Sequence, residues 1–357
     1  MFSSLDGLFI MPVCYHPTTI LSVDDDKDFL ESLATQISDK ICLLCFDNPQ
    51  KAGELTKNIH RYLPFTERCM SKESDSVKFN FMAIRNEIYN ADRFKEIAIN
   101  VTDYDMPHIN GIDLIRTMEF QPEIFQYSHI ILTGKISKEF KEKLSALGLN
   151  QEYIGKDDPD YIDKLLILIE HKLTKIFQMY SYMPARILSR DTNENTFFLF
   201  DANFGKLLHS HIKENDICEL YLFDKQGSYL FLDKNANLSW LFVRNETGIE
   251  NSIKLATQYS APKSVIDALQ SKKVILSLYQ KEDFEKRKTI DWNKYLLPAT
   301  VFDCEATSLN FFTDLIPKSY KDNKTALQYH YAFSKSFPDN GIDKSKILSY
   351  EDFLQNS

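Results

Sequence analysis

The chain has 357 residues, of which 43% are hydrophobic and 26% charged, with only 10 glycines and 12 prolines. This composition indicates a globular protein of two or three domains and excludes long collagen-like or low-complexity segments. The net charge of −9 lies mainly in residues 1–180, which hold 20 basic and 28 acidic residues, against 22 and 23 in residues 181–357. The N-terminal half therefore suits a divalent cation or a basic partner, and the C-terminal half gives no strong electrostatic case for DNA.

Three features of the sequence bear on its compartment. No stretch approaches the ~18 apolar residues of a membrane span. Met1–Pro12 lacks the basic leader and small-residue cleavage site of a secretory signal. The six cysteines are scattered, as in a protein whose thiols stay reduced. We therefore predict a cytoplasmic protein that makes no membrane contact.

Residues 18–182 alternate between short apolar strands and amphipathic helices. The predicted strands are Thr18–Val23, Ile41–Phe46, Ile97–Thr102, His129–Thr133 and Glu152–Gly155. The predicted helices are Asp28–Ile37, Asn48–Ile59, Gly111–Met118, Ser137–Leu147 and a long last helix over Asp160–Tyr182. Such alternation predicts an α/β domain with a doubly wound, five-stranded parallel sheet.

The pattern changes after residue 183. Three short apolar strands separated by loops of three and four residues predict an antiparallel meander, namely Glu219–Asp224, Ser228–Asp233 and Leu238–Val243. Two helices and a strand follow, at Gly248–Tyr259, Pro262–Lys272 and Val274–Leu278, and Phe197–Asp201 is a further candidate strand. The predicted organisation is an N-terminal extension over 1–17, a first domain over 18–182 and an α+β domain over 183–357.

An insertion interrupts the first domain between its second helix and its third strand, at about residues 60–94. Within it, Lys72–Ser76 predicts an exposed loop and Phe81–Tyr89 predicts a helix. Insertions this long usually have a function or contact a partner, and a tolerated surface excursion is the alternative.

Four of the five predicted strands end in a side chain suited to chemistry. Asp24 and Asp25 follow the first strand and Asp103 follows the third. The carboxyl ends of parallel strands lie at one edge of a sheet, so these carboxylates are expected close together. Clustered carboxylates repel one another, and Mg²⁺ relieves this because it prefers oxygen ligands. The sequence therefore predicts a magnesium site.

The remaining strand ends fit phosphoryl transfer. A carboxylate beside Mg²⁺ can attack phosphorus and form an aspartyl phosphate. Lys156, after the fifth strand, is placed to contact one phosphoryl oxygen, and Thr133, after the fourth, can donate a hydrogen bond to another. The backbone N–H groups of Tyr104 and Gly134 are further candidate donors.

Together these motifs resemble the receiver domain of two-component response regulators, which has a CheY-like, flavodoxin-like fold. The similar segments are the acidic first strand Ile20–Asp26, the phosphorylation loop Asp103–Pro107 with Asn110-Gly111, the hydroxyl position in Leu132–Gly134 and the lysine in Tyr153–Lys156. The resemblance covers about residues 17–180, apart from the insertion.

The resemblance implies a signalling role for these residues. It implies that a sensor histidine kinase phosphorylates Asp103 and that Thr133 and Tyr153 form a switch pair. It implies a Mg²⁺ site made of Asp24, Asp25, Asp103 and the backbone carbonyl of Asp105. It also implies a homodimer through the receiver and a protein that is not an enzyme, beyond slow autodephosphorylation.

Two residues depart from the receiver pattern. Asp157 follows Lys156 where the family usually has proline, and this carboxylate is expected to compete for Lys156. Asp105 adds a negative charge at the mouth of the pocket and is expected to modify the phosphoryl lifetime.

The C-terminal domain carries no cyclase loop, Walker motif or zinc-ligand series, since His209 and His211 lack a third ligand. We predict a non-catalytic output domain that acts through protein contacts. The insertion and the N-terminal extension are similar in architecture to the response regulator of α-hydroxyketone quorum-sensing systems, which implies a role in quorum sensing.

Two alternatives stay open. The 248–272 helix pair has small, turn and apolar residues near the positions of a helix-turn-helix, which would make the protein a DNA-binding transcriptional regulator, although Lys263 is accompanied by Asp267. Alternatively, the carboxylate cluster belongs to an enzyme that hydrolyses phosphate from small molecules.

Overall fold

The computed structural model describes residues 14–15, 19–37, 41–59, 70–73, 76–95, 97–118, 128–146, 153–172, 202–224, 226–278, 281–304 and 327–356. The strands in these ranges are β1 (Cys14–Tyr15), β2 (Thr19–Val23), β3 (Leu43–Phe46), β4 (Met70–Glu73), β5 (Ser76–Phe79), β6 (Ile97–Asp103), β7 (Ser128–Thr133), β8 (Tyr153–Gly155), β9 (Ile217–Leu222), β10 (Tyr229–Asp233), β11 (Leu238–Asn245), β12 (Val274–Leu276), β13 (Leu296–Pro298), β14 (Thr300–Cys304) and β15 (Leu327–Ser334).

The α-helices are α1 (Lys27–Gln36), α2 (Pro49–Ile59), α3 (Phe81–Tyr89), α4 (Gly111–Met118), α5 (Lys138–Ala146), α6 (161–172), α7 (Ala202–Glu214), α8 (Glu246–Gln258), α9 (Lys263–Gln270), α10 (Lys281–Glu285) and α11 (Tyr350–Asn356). Short 3-10 segments lie at Ala91–Lys95, Trp292–Lys294 and Lys344–Lys346. Among the helices described, none is long and apolar enough to cross a membrane.

The chain folds as two compact units, and the first carries a parallel sheet. It contains the described residues of His16–Arg68, Asn90–Phe177 and Tyr350–Ser357, and we call it the parallel-sheet unit. Its strands lie in the order β3-β2-β6-β7-β8, and each neighbouring pair is parallel. Every residue of β2 and β6 is buried, as expected for strands covered by helices on both faces. The predicted five-stranded doubly wound sheet is confirmed.

Helices α1 and α4 show why the sequence folds this way. Apolar residues three and four apart put Phe29, Leu30 and Leu33 on the buried side of α1. The Asp26 carboxylate caps this helix by accepting a hydrogen bond from the Phe29 N–H at 3.1 Å. In α4, Leu114 and Met118 pack in a core cluster with β2, whereas Ile112 and Ile115 pack in a second cluster with α5 and β7.

The second unit, which we call the antiparallel-sheet unit, contains the described residues of Met1–Tyr15, Cys69–Tyr89 and Gln178–Ser349. Its main sheet has the order β1-β9-β10-β11-β15-β14 with antiparallel pairs throughout. Strands β9, β10 and β11 form the meander that the sequence predicts. Helices α8 and α9 pack with the short β12–β13 pair around Trp292 and Tyr295. The predicted α+β class is therefore confirmed.

Two segments belong to a different unit from the one that the sequence predicts for them. The described part of Cys69–Tyr89, which interrupts the first domain in sequence, belongs to the antiparallel-sheet unit. The physical reason is aromatic packing, because the Phe81 ring centroid lies 5.9 Å from that of Phe223 and 6.3 Å from that of Trp240. Conversely, α11 belongs to the parallel-sheet unit, where its aromatic residues pack on Phe94.

Helix α3 has the predicted bounds, but β4 and β5 pair as an antiparallel ladder where an exposed loop was predicted at Lys72–Ser76. A run of charged and polar residues is typical of loops, but it does not prevent the backbone from pairing as strands. The boundaries predicted at 17 and 182, the candidate strand Phe197–Asp201 and the helical residues after 172 lie outside the described residues.

Candidate functional site

The site lies where the strands of the parallel sheet end. Asp24 follows β2, Asp103 is the last residue of β6, Thr133 is the last residue of β7 and Lys156 follows β8. Parallel strands place their carboxyl ends at the same edge of the sheet, and this is where doubly wound proteins bind ligands. The structure therefore brings together side chains that are up to 132 positions apart in sequence.

Lys156 lies between the two buried carboxylates. Its Nζ is 2.6 Å from Asp103 Oδ1 and 2.8 Å from Asp24 Oδ2. The ammonium also lies 5.1 Å from the centroid of the Phe29 ring, and the Lys156 N–H donates to the Thr133 carbonyl at 2.7 Å. These contacts fix the lysine at the edge of the sheet, with two negative charges sharing one cation.

Electrostatics at the site follow from this burial. Asp24 is 1% exposed, and burial raises the pKa of its carboxyl group even though hydrogen bonds from Lys156 and from the Asp26 N–H oppose the shift. Burial by itself would lower the pKa of Lys156, but hydrogen bonds to Asp103 and Asp24 outweigh it, so the pKa is raised. Lys156 therefore stays charged, and its hydrogen bond offsets only part of the cost of burying the Asp24 carboxylate.

The carboxylates also fit a divalent cation. One carboxylate oxygen from each of Asp24, Asp25 and Asp103 lies within 4.8 Å of the other two, and among the described residues no other group of three such potential ligands is found. Oxygen-only donors with excess negative charge suit Mg²⁺, which keeps several waters and bridges to a phosphoryl group. The backbone carbonyl of Asp105 stays a predicted ligand.

The backbone around Asp103 differs in one respect from the prediction. The Tyr104 N–H donates to the Leu132 carbonyl at 2.8 Å, because it continues the β6–β7 ladder. The N–H that reaches the Asp103 carboxylate is that of Asp105, which lies 2.9 Å from Asp103 Oδ2. This donor is not among those that the sequence predicts; its position two residues after the end of β6 is the signal that could have indicated it.

Thr133 and Gly134 lie at the end of β7. The Thr133 hydroxyl donates to the Lys135 carbonyl at 3.1 Å and accepts from the Lys135 N–H at 3.2 Å. Because the hydroxyl has a single hydrogen, it can donate to another acceptor only after it releases the Lys135 carbonyl. A Cβ added at Gly134 would meet no atom within 4 Å, so there is open space beside this residue.

The remaining candidate residues lie near the site or apart from it. Tyr153 is half-buried at the start of β8, and its ring packs against Phe140. The Asp157 carboxylate lies against Gly155, whereas the ion pairs found for Lys156 go to Asp24 and Asp103. In the antiparallel-sheet unit, His211 stacks on Phe333 with a centroid distance of 3.8 Å.

The helix pair considered for DNA binding is α8 and α9. Helix α9 buries Val265 and Leu269 and exposes Lys263 and Asp267. Because its exposed face carries both signs of charge, it lacks the basic surface that would neutralise phosphates.

The backbone of Gly111 lies close to that of Asp103. Gly111 begins α4, and its N–H donates to the Tyr104 carbonyl at 3.0 Å. A Cβ at this position would overlap the Asp103 carbonyl oxygen and lie 3.0 Å from Thr102 Cγ2. Gly111→Ala is therefore expected to displace the end of β6 and to lower the free energy of unfolding by about 1–3 kcal/mol, measured by urea denaturation.

Gly53→Ala is the matched control for that change. An added Cβ on α2 would come no closer than 3.8 Å to its nearest neighbour, Leu114 Cδ1. Alanine is also the better helix former, so stability should be unchanged or slightly increased. If both glycine variants unfold at the same urea concentration, the close approach of Gly111 to Asp103 has no energetic consequence.

The fold and site together define a class of protein. A β3-β2-β6-β7-β8 parallel sheet with an acidic cluster, a threonine and a lysine at its carboxyl edge is a CheY-like receiver domain, and the chain has the architecture of a two-component response regulator. Over 98% of its length it is similar to the Legionella pneumophila response regulator LqsR, with 27% identity, 96% coverage of that chain and a TM-score of 0.69. The resemblance stated from the sequence is confirmed.

Two further solved structures match only part of the chain. The receiver domain of Francisella response regulator 1452 is 20% identical over 44% of this chain and 98% of its own, with a TM-score of 0.30. A CheY-like receiver domain protein from Methanospirillum hungatei is 18% identical over 46% of this chain and 98% of its own, also with a TM-score of 0.30. No protein-family model and no curated protein matches the sequence.

Proposed function

We propose that Asp103 accepts a phosphoryl group from a partner histidine kinase and that the antiparallel-sheet unit passes the signal on through protein contacts, without catalysis of its own. The observation that carries this proposal is the pairing of Lys156 with both Asp103 and Asp24, at 2.6 and 2.8 Å, beside a third carboxylate. The whole-length similarity to a response regulator supports the same assignment.

The proposed transfer uses a carboxylate that is already oriented. An oxygen of Asp103 attacks phosphorus; the new O–P bond forms as the P–N bond of the phosphohistidine breaks, and the imidazole nitrogen leaves with the electron pair. The Asp105 N–H holds Asp103 Oδ2, and Lys156 neutralises charge on the transferring group. Mg²⁺ held by Asp24, Asp25 and Asp103 would supply further positive charge.

The signal then leaves the pocket through the switch pair. In this proposal the Thr133 hydroxyl exchanges Lys135 for a phosphoryl oxygen and Tyr153 turns inward, which changes the face formed by α5 and α6. Ile167, on α6, is 67% exposed, which supports the use of this face in a homodimer. The architectural resemblance to α-hydroxyketone regulators supports a cytoplasmic role in quorum sensing.

Phosphorylation of Asp103 is tested by labelling the full chain with phosphoramidate in the presence of Mg²⁺. We expect one phosphoryl group per chain by intact mass, loss of this label in Asp103→Asn, and retention of it in the neighbouring control Asp105→Asn. Unchanged labelling of Asp103→Asn would contradict the proposal. Sustained turnover of phosphomonoesters would favour the hydrolase, and a mobility shift on genomic fragments at physiological salt would favour DNA binding.

A further inference from the structure

Three aromatic rings form a continuous row from the acceptor to the switch tyrosine. The Tyr104 ring, one residue after Asp103, meets Phe140 edge to face, with centroids 4.8 Å apart and an interplanar angle of 76°. Phe140 in turn meets Tyr153 edge to face at 5.4 Å and 90°. Phe140 therefore contacts both tyrosines, and Phe140 comes from α5, whereas each tyrosine lies at a strand end.

Phe140 is buried more deeply than the two tyrosine rings that it contacts. It is 1% exposed and belongs to a core cluster with Ile112, Ile115, Ile131 and Leu144, whereas both tyrosines are only partly buried. The same helix holds Tyr104 a second time, because Lys143 Nζ donates to the Tyr104 hydroxyl at 3.5 Å. Lys143 is itself paired with Glu139 at 3.0 Å. Helix α5 thus contacts Tyr104 through two side chains, Phe140 and Lys143.

Because the three rings are in contact, a displacement of one ring is expected to change the position of the next. Tyr104 shares a peptide bond with Asp103, so a displacement of that peptide moves the Tyr104 ring, whose backbone N–H is bonded to the Leu132 carbonyl. A shift of the Tyr104 ring changes its contact with the edge of Phe140, and Phe140 has few voids to move into because it is packed in the core cluster. Edge-to-face pairs also prefer a defined geometry, so the position of Phe140 influences that of Tyr153.

We propose that Phe140 is a positioning residue that couples Tyr104 to Tyr153, so that the response of Tyr153 to the state of Asp103 depends on the Phe140 ring. The regulatory half of this inference rests on the proposed phosphorylation of Asp103. The coupling itself does not, since it is a property of the three rings without any ligand.

A ligand-free experiment tests the coupling. The full chain is labelled with 3-fluorotyrosine, and the Tyr104 and Tyr153 ¹⁹F resonances are assigned with Tyr→Phe variants. Tyr104→Leu is expected to shift the Tyr153 resonance, and this shift should be lost in a Phe140→Leu background. It should be kept in Leu144→Met, a buried change in the same cluster that removes no ring. A Tyr153 resonance that ignores Tyr104→Leu, or a shift that survives Phe140→Leu, overturns the coupling.

A second experiment adds Mg²⁺ and beryllofluoride, a mimic of the phosphoryl group with its own ¹⁹F signal. Bound beryllofluoride should shift the Tyr153 resonance in the wild type and in Leu144→Met, and this shift should be lost in Phe140→Leu although beryllofluoride still binds. Retention of the shift in Phe140→Leu overturns the inference. Absence of bound beryllofluoride in the wild type counts against the proposed function instead, and the ligand-free cycle still decides the coupling. Should Phe140→Leu fail to fold, Phe140→Met replaces it in both experiments.

Discussion

Truncation of one aromatic side chain near the C-terminus is expected to destabilise the parallel-sheet unit. Phe353, on α11, packs with its ring centroid 5.2 Å from that of Phe94, and Tyr350 lies at the same distance on the same ring. Phe94 is 0% exposed and its carbonyl accepts a hydrogen bond from Thr19, at the start of β2. Phe353→Ala should lower the free energy of unfolding of this unit by about 3–5 kcal/mol, as for other buried phenylalanines.

The two units can be followed separately in that experiment. Both tryptophans of the chain, Trp240 and Trp292, lie in the antiparallel-sheet unit, so tryptophan fluorescence reports on that unit alone. Hydrogen exchange of peptides from Ile97–Asp103 reports on the core strand of the parallel-sheet unit. Gln355→Ala is the control, because Gln355 is an exposed residue of the same helix. Equal exchange in Phe353→Ala and Gln355→Ala would show that α11 contributes nothing to this unit.

The contrast between α11 and the parallel sheet shows that local sequence patterns predict which residues are buried but not which distant residues they pack against. Strand β6 was predictable because its apolar residues Ile97, Ala98, Ile99 and Val101 are concentrated in a short β-branched-rich segment, and such a segment indicates a buried strand. The packing of Phe353 on Phe94, or of Phe81 on Phe223, was not predictable. An apolar residue indicates that it is buried, but nothing in its own neighbourhood names the distant ring against which it packs.

In the site, too, the sequence predicts which residues come together but not the hydrogen bonds that each of them makes. Asp24, Asp103 and Lys156 were predictable as a cluster because topology alone brings parallel strand ends to one edge. The hydroxyl of Thr133 was predictable as a group but not its bonding to Lys135, because a rotamer depends on atoms two residues away. The sequence makes the Tyr104 N–H a candidate donor to a phosphoryl group, yet this N–H continues the β6–β7 ladder, because strand pairing extends one residue beyond Asp103.

Replacement of Lys156 is expected to have the second large effect, and Mg²⁺ should reverse it. Lys156→Met removes the ammonium that pairs with both Asp24 and Asp103 and leaves two buried carboxylates facing each other. Breaking a buried ion pair by removal of one partner costs about 3–5 kcal/mol. We expect a loss of this size in the free energy of unfolding of the parallel-sheet unit at pH 8 without divalent cations, measured by hydrogen exchange of the Ile97–Asp103 peptides.

The way in which the destabilisation of Lys156→Met changes with pH and with Mg²⁺ distinguishes lost charge pairing from lost packing. Loss of the lysine should raise the pKa of Asp24 further, and a carboxyl group whose pKa is higher in the folded state favours folding below its unfolded pKa and loses that contribution as pH rises. The deficit of Lys156→Met should therefore shrink as pH falls from 8 toward 5. Millimolar Mg²⁺ should also shrink it, because the cation replaces the missing positive charge.

Lys164→Met provides the control for the Lys156 variant. Lys164 pairs with Asp158 in the same unit, but its side chain is 53% exposed, and exposed pairs contribute only about 0–1 kcal/mol. Its deficit should be small and indifferent to Mg²⁺. If Lys156→Met shows a deficit that neither acid nor Mg²⁺ reduces, then Lys156 stabilises the site by packing on Phe29, and the carboxylates beside it do not form the cation site inferred from their geometry.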